Sequence, residues 1–118
     1  MNINKLKTNQ QKEVDGVWVD GPEGLRLKVA RNTNPYIRKF LVKHNRHRLD
    51  TDASSEIMKK GFAKHVLLGW QNLQGEDGKD IEYSSDKAEE LFKDVPDFFD
   101  MVVMYSNDAD LFKDAEGN

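Results

Sequence analysis

Three histidines, His44, His47 and His65, are the residues of this chain best suited to holding a metal ion. His44 and His47 stand three apart on a predicted helix, a spacing that puts both on one face, with His65 as a distant third ligand. Their neighbours argue against that chemistry. Lys43, Arg46 and Arg48 interleave with them, like charge repels a divalent cation, and no carboxylate stands beside either ring to orient it. His44 therefore reads as a residue at the edge of the core and His47 as an exposed one. Asp77-Gly78-Lys79-Asp80 lacks the alternating acidic positions and closing glutamate of a calcium loop and reads as a turn. The chain has no cysteine, which removes disulfides, thiolate nucleophiles and cysteine-based zinc or iron–sulfur sites together. There is no phosphate-binding glycine loop, no nucleophile elbow, and no serine that sequence alone would pair with a histidine. Glu89 and Glu90 are adjacent on a predicted helix and cannot face each other. The sequence predicts no enzyme, no metal and no cofactor.

The remaining chemistry is that of charge. Arg38, Lys39, Lys43, Arg46 and Arg48 crowd a predicted helix over residues 35–48 and could neutralise several phosphates. The whole chain is acidic, with a net charge of −3, and shows no aromatic stacking motif or DNA-binding pattern. A solvated or protein-binding face is favoured over a nucleic-acid one. The charge is also polarised along the chain. From Glu76 to Asn118 fourteen acidic residues stand against four basic ones, a net of −10, so the first 75 residues carry +7. Such polarity can hold the two halves of the chain together, and can equally make copies associate head to tail or present different surfaces to different partners.

The elements that must position these residues follow from periodicity. The length of 118 residues suits one domain with a modest core. Charged residues at 33% and hydrophobic ones at 37% describe a soluble protein. No apolar run approaches the roughly 20 residues of a membrane span, and the opening MNINKLKTNQQKEVDG has no signal-like apolar core. A cytoplasmic protein without a membrane partner is expected. Residues 1–15 are polar and predict a flexible arm, 16–112 a single domain, and 113–118 a frayed end. Val17-Trp18-Val19 and the alternating Leu25, Leu27, Val29 flank the turn-rich Asp20-Gly21-Pro22-Glu23-Gly24, which predicts a β-hairpin anchored by Trp18. Two strands alone are marginal, so helices or another chain must cover them.

Asn34-Pro35 opens the basic helix, with Tyr36, Ile37, Phe40, Leu41 and His44 on its apolar face. Ile57, Met58, Phe62, Val66, Leu67 and Trp70 predict a second helix over about 54–72. Gly61 and Gly69 within it imply a close approach or an early end. Ile81-Glu82-Tyr83 suggests a brief extended piece. Ser84-Ser85-Asp86 caps a third helix with Ala88, Leu91, Phe92 and Val95 inward. Pro96 ends it and opens a fourth, carrying Phe98, Phe99, Val102, Val103, Tyr105 and Phe112. The predicted fold is a mainly helical α+β domain, an N-terminal β-hairpin packed on about four helices.

These elements in this order resemble a known family. Arg31-Asn32-x-Asn34 after the hairpin, Ala63 followed by Trp70, Gln71-Asn72-Leu73 with Asp77-Gly78-Lys79, Ile81-x-Tyr83-Ser84, and Leu91 before Pro96-x-Phe98 are similar to phage tail assembly chaperones from Val17 to Phe112. The resemblance implies a non-enzymatic factor of long-tailed phages and prophages that coats the tape-measure protein in the host cytoplasm and is absent from the mature virion. It also implies self-association, and often a frameshifted longer version. Rival expectations are a small phage protein binding nucleic acid or ribonucleoprotein through helix 35–48, and an inhibitor of a host protein acting through the acidic half. For a helical client, Arg38, Lys39, Lys43 and Arg46 are the expected steering residues. Phe98 and Met101, with Phe99 and Val102 as more core-like neighbours, are the expected apolar contacts.

Overall fold

A computed structural model describes residues 1–44 and 51–114. Among them lie three strands, β1 (Val17–Asp20), β2 (Arg26–Val29) and β3 (Leu67–Gln71), and five α-helices, α1 (Gln10–Asp15), α2 (Pro35–His44), α3 (Thr51–His65), α4 (Ser85–Asp94) and α5 (Pro96–Asn107). The mainly helical α+β class is as the sequence predicts. The sheet is not a lone hairpin, because β3 pairs antiparallel with β2 and gives the order β1-β2-β3. The expected second helix stops at His65, and Leu67–Gln71 is a strand. The apolar run Val66 to Leu68 has no period that separates helix from strand. Pairing with β2 decides it, and the chain thus completes its own sheet.

Register sorts the side chains. Val19 sits opposite Leu27, and Leu27 opposite Trp70, so these residues share the inner face with Val29 and Leu67. All five are buried, and α3, α4 and α5 cover them. Trp18 pairs with Lys28 and therefore points the other way. It is 42% exposed, lies by Gly69, and has the Arg26 guanidinium 5.2 Å from its ring centre. Trp18 is thus not the anchor that its size suggests. Trp70 has that role, its Nε1–H donating to the Ile81 carbonyl at 2.7 Å.

Three of the predicted helix starts, at Asn34-Pro35, Ser84 and Pro96, are present, while α3 begins at Thr51, ahead of the expected 54. The Asn34 side-chain oxygen accepts from Tyr36 N and Ile37 N, while its amide donates to the Arg31 and His65 carbonyls, so every polar group of this buried residue is used. The Ser84 hydroxyl caps α4 by accepting from Lys87 N, and Pro96 occupies the first turn of α5. Helix α5 stops at Asn107. Asp108 then caps a 3-10 turn, Ala109–Phe112, which returns Phe112 to the core.

The first fifteen residues, expected as a flexible arm, carry a 3-10 turn over Ile3–Leu6 and helix α1. Asn9 caps α1, and its N–H donates to the Phe112 carbonyl at 2.7 Å. Glu13 holds Arg31 twice, by a 3.5 Å ion pair and by a 2.8 Å bond from Arg31 N to its carbonyl. Arg31 also donates to the Asn107 carbonyl and lies over the Phe112 ring at 5.7 Å. One mostly buried guanidinium therefore ties α1, β2 and the end of α5 together. Arg31→Ala should lower the unfolding free energy by about 2 kcal/mol, because it leaves the largely buried Glu13 carboxylate with the Thr8 hydroxyl as a partner but without its counter-charge. Chemical denaturation measures this, and Glu13→Gln in the same background should recover part of the loss. At the other end, Lys113 and Asp114 are tied to Asp110 and Asn9. Residues 115–118 lie outside the described part.

Candidate partner-binding surfaces

Two surfaces carry the residues singled out by sequence. The first is the outer side of α2. Ile37 and Phe40 turn inward onto α3, where Gly61 lets the helices approach closely. Arg38, Lys39 and Lys43 are all exposed, together with Val42 and Tyr36. Arg46, His47 and Arg48 lie outside the described residues. Where the C-terminal end of α3 lies along α2, Tyr36, Lys39, Lys43, His44, Lys64 and His65 line a shallow groove without a carboxylate.

The two described histidines are held by aromatic contact. His44 stacks on Phe40 at 4.2 Å, and His65 lies 5.6 Å from the same ring. His44 is exposed rather than part of the core edge. Partial burial, and then the neighbouring Lys64, lower the His65 pKa below its ordinary value. Lys39, Lys43 and Lys64 bring the positive charge to the groove. Among the described residues no three metal-type side chains converge.

The second surface is a cleft of about 390 Å³ at the junction of α4 and α5. The chain builds it in three steps. Asn72 turns the backbone out of β3 in a left-handed conformation, φ 62°, and its amide donates to the Gly24 carbonyl, which fixes the exit direction. The segment 73–81 then forms a small hairpin, with Gly75 and Lys79 bonded to each other and Ile81 N donating to the Leu73 carbonyl. That bond sets Leu73 and Ile81 side by side. Finally the proline break at Pro96 brings Leu91 and Val95 of the α4 end against Phe98 of the α5 start.

The cleft is mostly apolar, and the charges at its edge are the carboxylates of Glu76 and Asp94. Its floor is rigid. Phe98 is 8% exposed, with its ring centre 6.2 Å from Trp70 and 5.7 Å from Phe92. Val95, by contrast, is 45% exposed at the mouth.

The structure thus places Phe98 in the cleft as floor, with only its edge on offer. Met101 is half-buried against the core and does not line the cleft. Phe99 is half-buried and Val102 fully buried. Helix α3 separates the two surfaces, packing on α2 on one side and on α4 on the other. Leu73, Ile81, Leu91 and Val95 were not legible as a set. Each reads as turn, extended or helix-face residue in its own segment, and only the return of 73–81 onto the helix junction unites them.

A family model described as YdaY prophage protein matches residues 27–118, from β2 through both surfaces to the C-terminal end. No curated protein and no solved structure matches the chain.

Proposed function

We propose, for a chain that belongs to the YdaY prophage protein family and is therefore a phage or prophage protein, a non-enzymatic role as a tail assembly chaperone that binds the tape-measure protein. The observation that carries this reading is the apolar cleft at the α4–α5 junction, where Leu73, Ile81, Leu91, Val95 and Phe98 meet around an opening that none of the described residues fills. An unburied apolar patch on a packed floor suits a partner, and a tape-measure protein is a long helix with apolar stripes that must be kept soluble. Leu91, Val95 and the edge of Phe98 would take aliphatic side chains of the client, while Arg38, Lys39 and Lys43 steer its approach. On this reading the protein acts in the host cytoplasm, self-associates, and leaves before the virion is complete. A longer frameshifted form would share the same surfaces.

A second reading has one observation of its own. Exposed Tyr36 beside Lys39, Lys43 and Lys64 could stack and neutralise a single-stranded nucleic acid. Capture of a purified tape-measure fragment separates the two. Val95→Asp should weaken capture about tenfold by placing a charge in the mouth, with folding stability changed by no more than about 0.5 kcal/mol because the site is half-exposed. Arg38→Glu with Lys43→Glu should slow association and flatten its salt dependence. Binding that falls steeply with salt and ignores Val95→Asp would instead favour the nucleic-acid reading.

A further inference from the structure

The Ile3–Leu6 turn exposes apolar side chains with nothing beneath them. Ile3 is 65% exposed and Leu6 56%, and neither belongs to the core or to the residues packed against it. The turn is nevertheless shaped. The Asn2 side-chain oxygen accepts from Asn4 N at 2.9 Å and opens it, and the base is held where Asn9 bonds to Phe112 and Asp114. In 3-10 geometry residues three apart stand one above the other, about 6 Å along the axis. Ile3 and Leu6 therefore form one short apolar ridge, flanked by the exposed Lys5 and Lys7.

That ridge is complementary to the cleft described above. The cleft offers Leu73, Ile81, Leu91 and Val95 to an aliphatic pair, and Glu76 and Asp94 to two cations, and no basic residue lines it. We infer that the Ile3–Leu6 ridge of one copy seats in the cleft of a second copy, with Lys5 and Lys7 facing Glu76 and Asp94. The base of the turn lies beside Lys113 and Asp114 and shares no residue with the cleft, so each copy offers both a ridge and a cleft to its neighbours. Two aliphatic side chains make a weak contact by themselves. The inference deepens the proposed function, on which it rests for its consequence. The ridge keeps the cleft covered until a client with a longer apolar stripe displaces it.

Sedimentation velocity of the full chain from micromolar to millimolar concentration tests the seating. The mass should rise with concentration for the native chain. Leu6→Asp and, separately, Val95→Asp should each weaken this association about tenfold. Lys5→Glu with Lys7→Glu should weaken it too, and adding Glu76→Lys with Asp94→Lys should restore it. A native chain that stays monomeric throughout overturns the inference, as does association that Leu6→Asp or Val95→Asp leaves unchanged, or a charge exchange without rescue. Tape-measure capture is read in parallel and fails independently. Leu6→Asp should keep client capture or raise it, whereas a native chain that self-associates through this pair but captures no client upholds the seating and removes the chaperone reading.

Discussion

Phe92→Ala is expected to lower the unfolding free energy by about 3–5 kcal/mol, the range for removing a fully buried phenylalanine that leaves a cavity. Phe92 is completely buried, and its ring centre lies 5.0 Å from Phe99 and 5.7 Å from Phe98. Through Phe99 it also reaches Phe62 on α3, at 5.4 Å from that ring. One side chain of α4 therefore supports α3 and α5 together, and it carries the floor of the cleft. Urea denaturation gives the value directly. Val42→Ala is the matched control, since Val42 is exposed on α2 and should change stability by no more than about 0.5 kcal/mol. A loss below about 1 kcal/mol for Phe92→Ala would contradict the packing of α3, α4 and α5 around this ring.

Gly61→Val is expected to cost about 2–3 kcal/mol, from overpacking rather than from a lost contact. A Cβ at Gly61 would stand 2.7 Å from Ile37 Cδ1 and 2.8 Å from Phe40 Cδ1. The gain in helix propensity on replacing glycine is at most about 1 kcal/mol, so the clash outweighs it. The Ile37 and Phe40 side chains would have to shift out of their places in the α2–α3 contact. Thermal unfolding measures the loss, and Ile37→Ala in the same chain should relieve part of it by opening space. Stabilisation by Gly61→Val would show that α2 and α3 do not cross at this point.

What could be read from the sequence was whatever local chemistry decides. The alternation of Leu25, Leu27 and Val29, the Asn34 and Ser84 caps and the break at Pro96 are set by a few neighbouring residues, and each appears where expected. Elements decided by distant partners were not legible. Val66 to Trp70 becomes a strand only because β2 offers an edge, and residues 1–15 are ordered by Arg31 and Phe112, far along the chain. Trp18 and Trp70 could not be ranked by type, since register alone sends one outward and the other into the core. The basic residues of α2 were easy to find because a helix keeps its exposed face exposed. The cleft was not, because it needs Leu73 and Ile81 from a loop, and Val95 from a helix end, to meet at one place.

The proposed role requires that an apolar client helix be held in the cleft between the α4–α5 junction and the 73–81 hairpin. Co-production of this chain with the tape-measure protein of its own prophage, followed by centrifugation, tests it most directly. The tape-measure protein should pellet alone and stay in the supernatant with the native chain, and the Val95→Asp variant should return it to the pellet. If the tape-measure protein pellets equally with and without the native chain, or if Val95→Asp protects it as well as the native chain does, the cleft is not where a client is held.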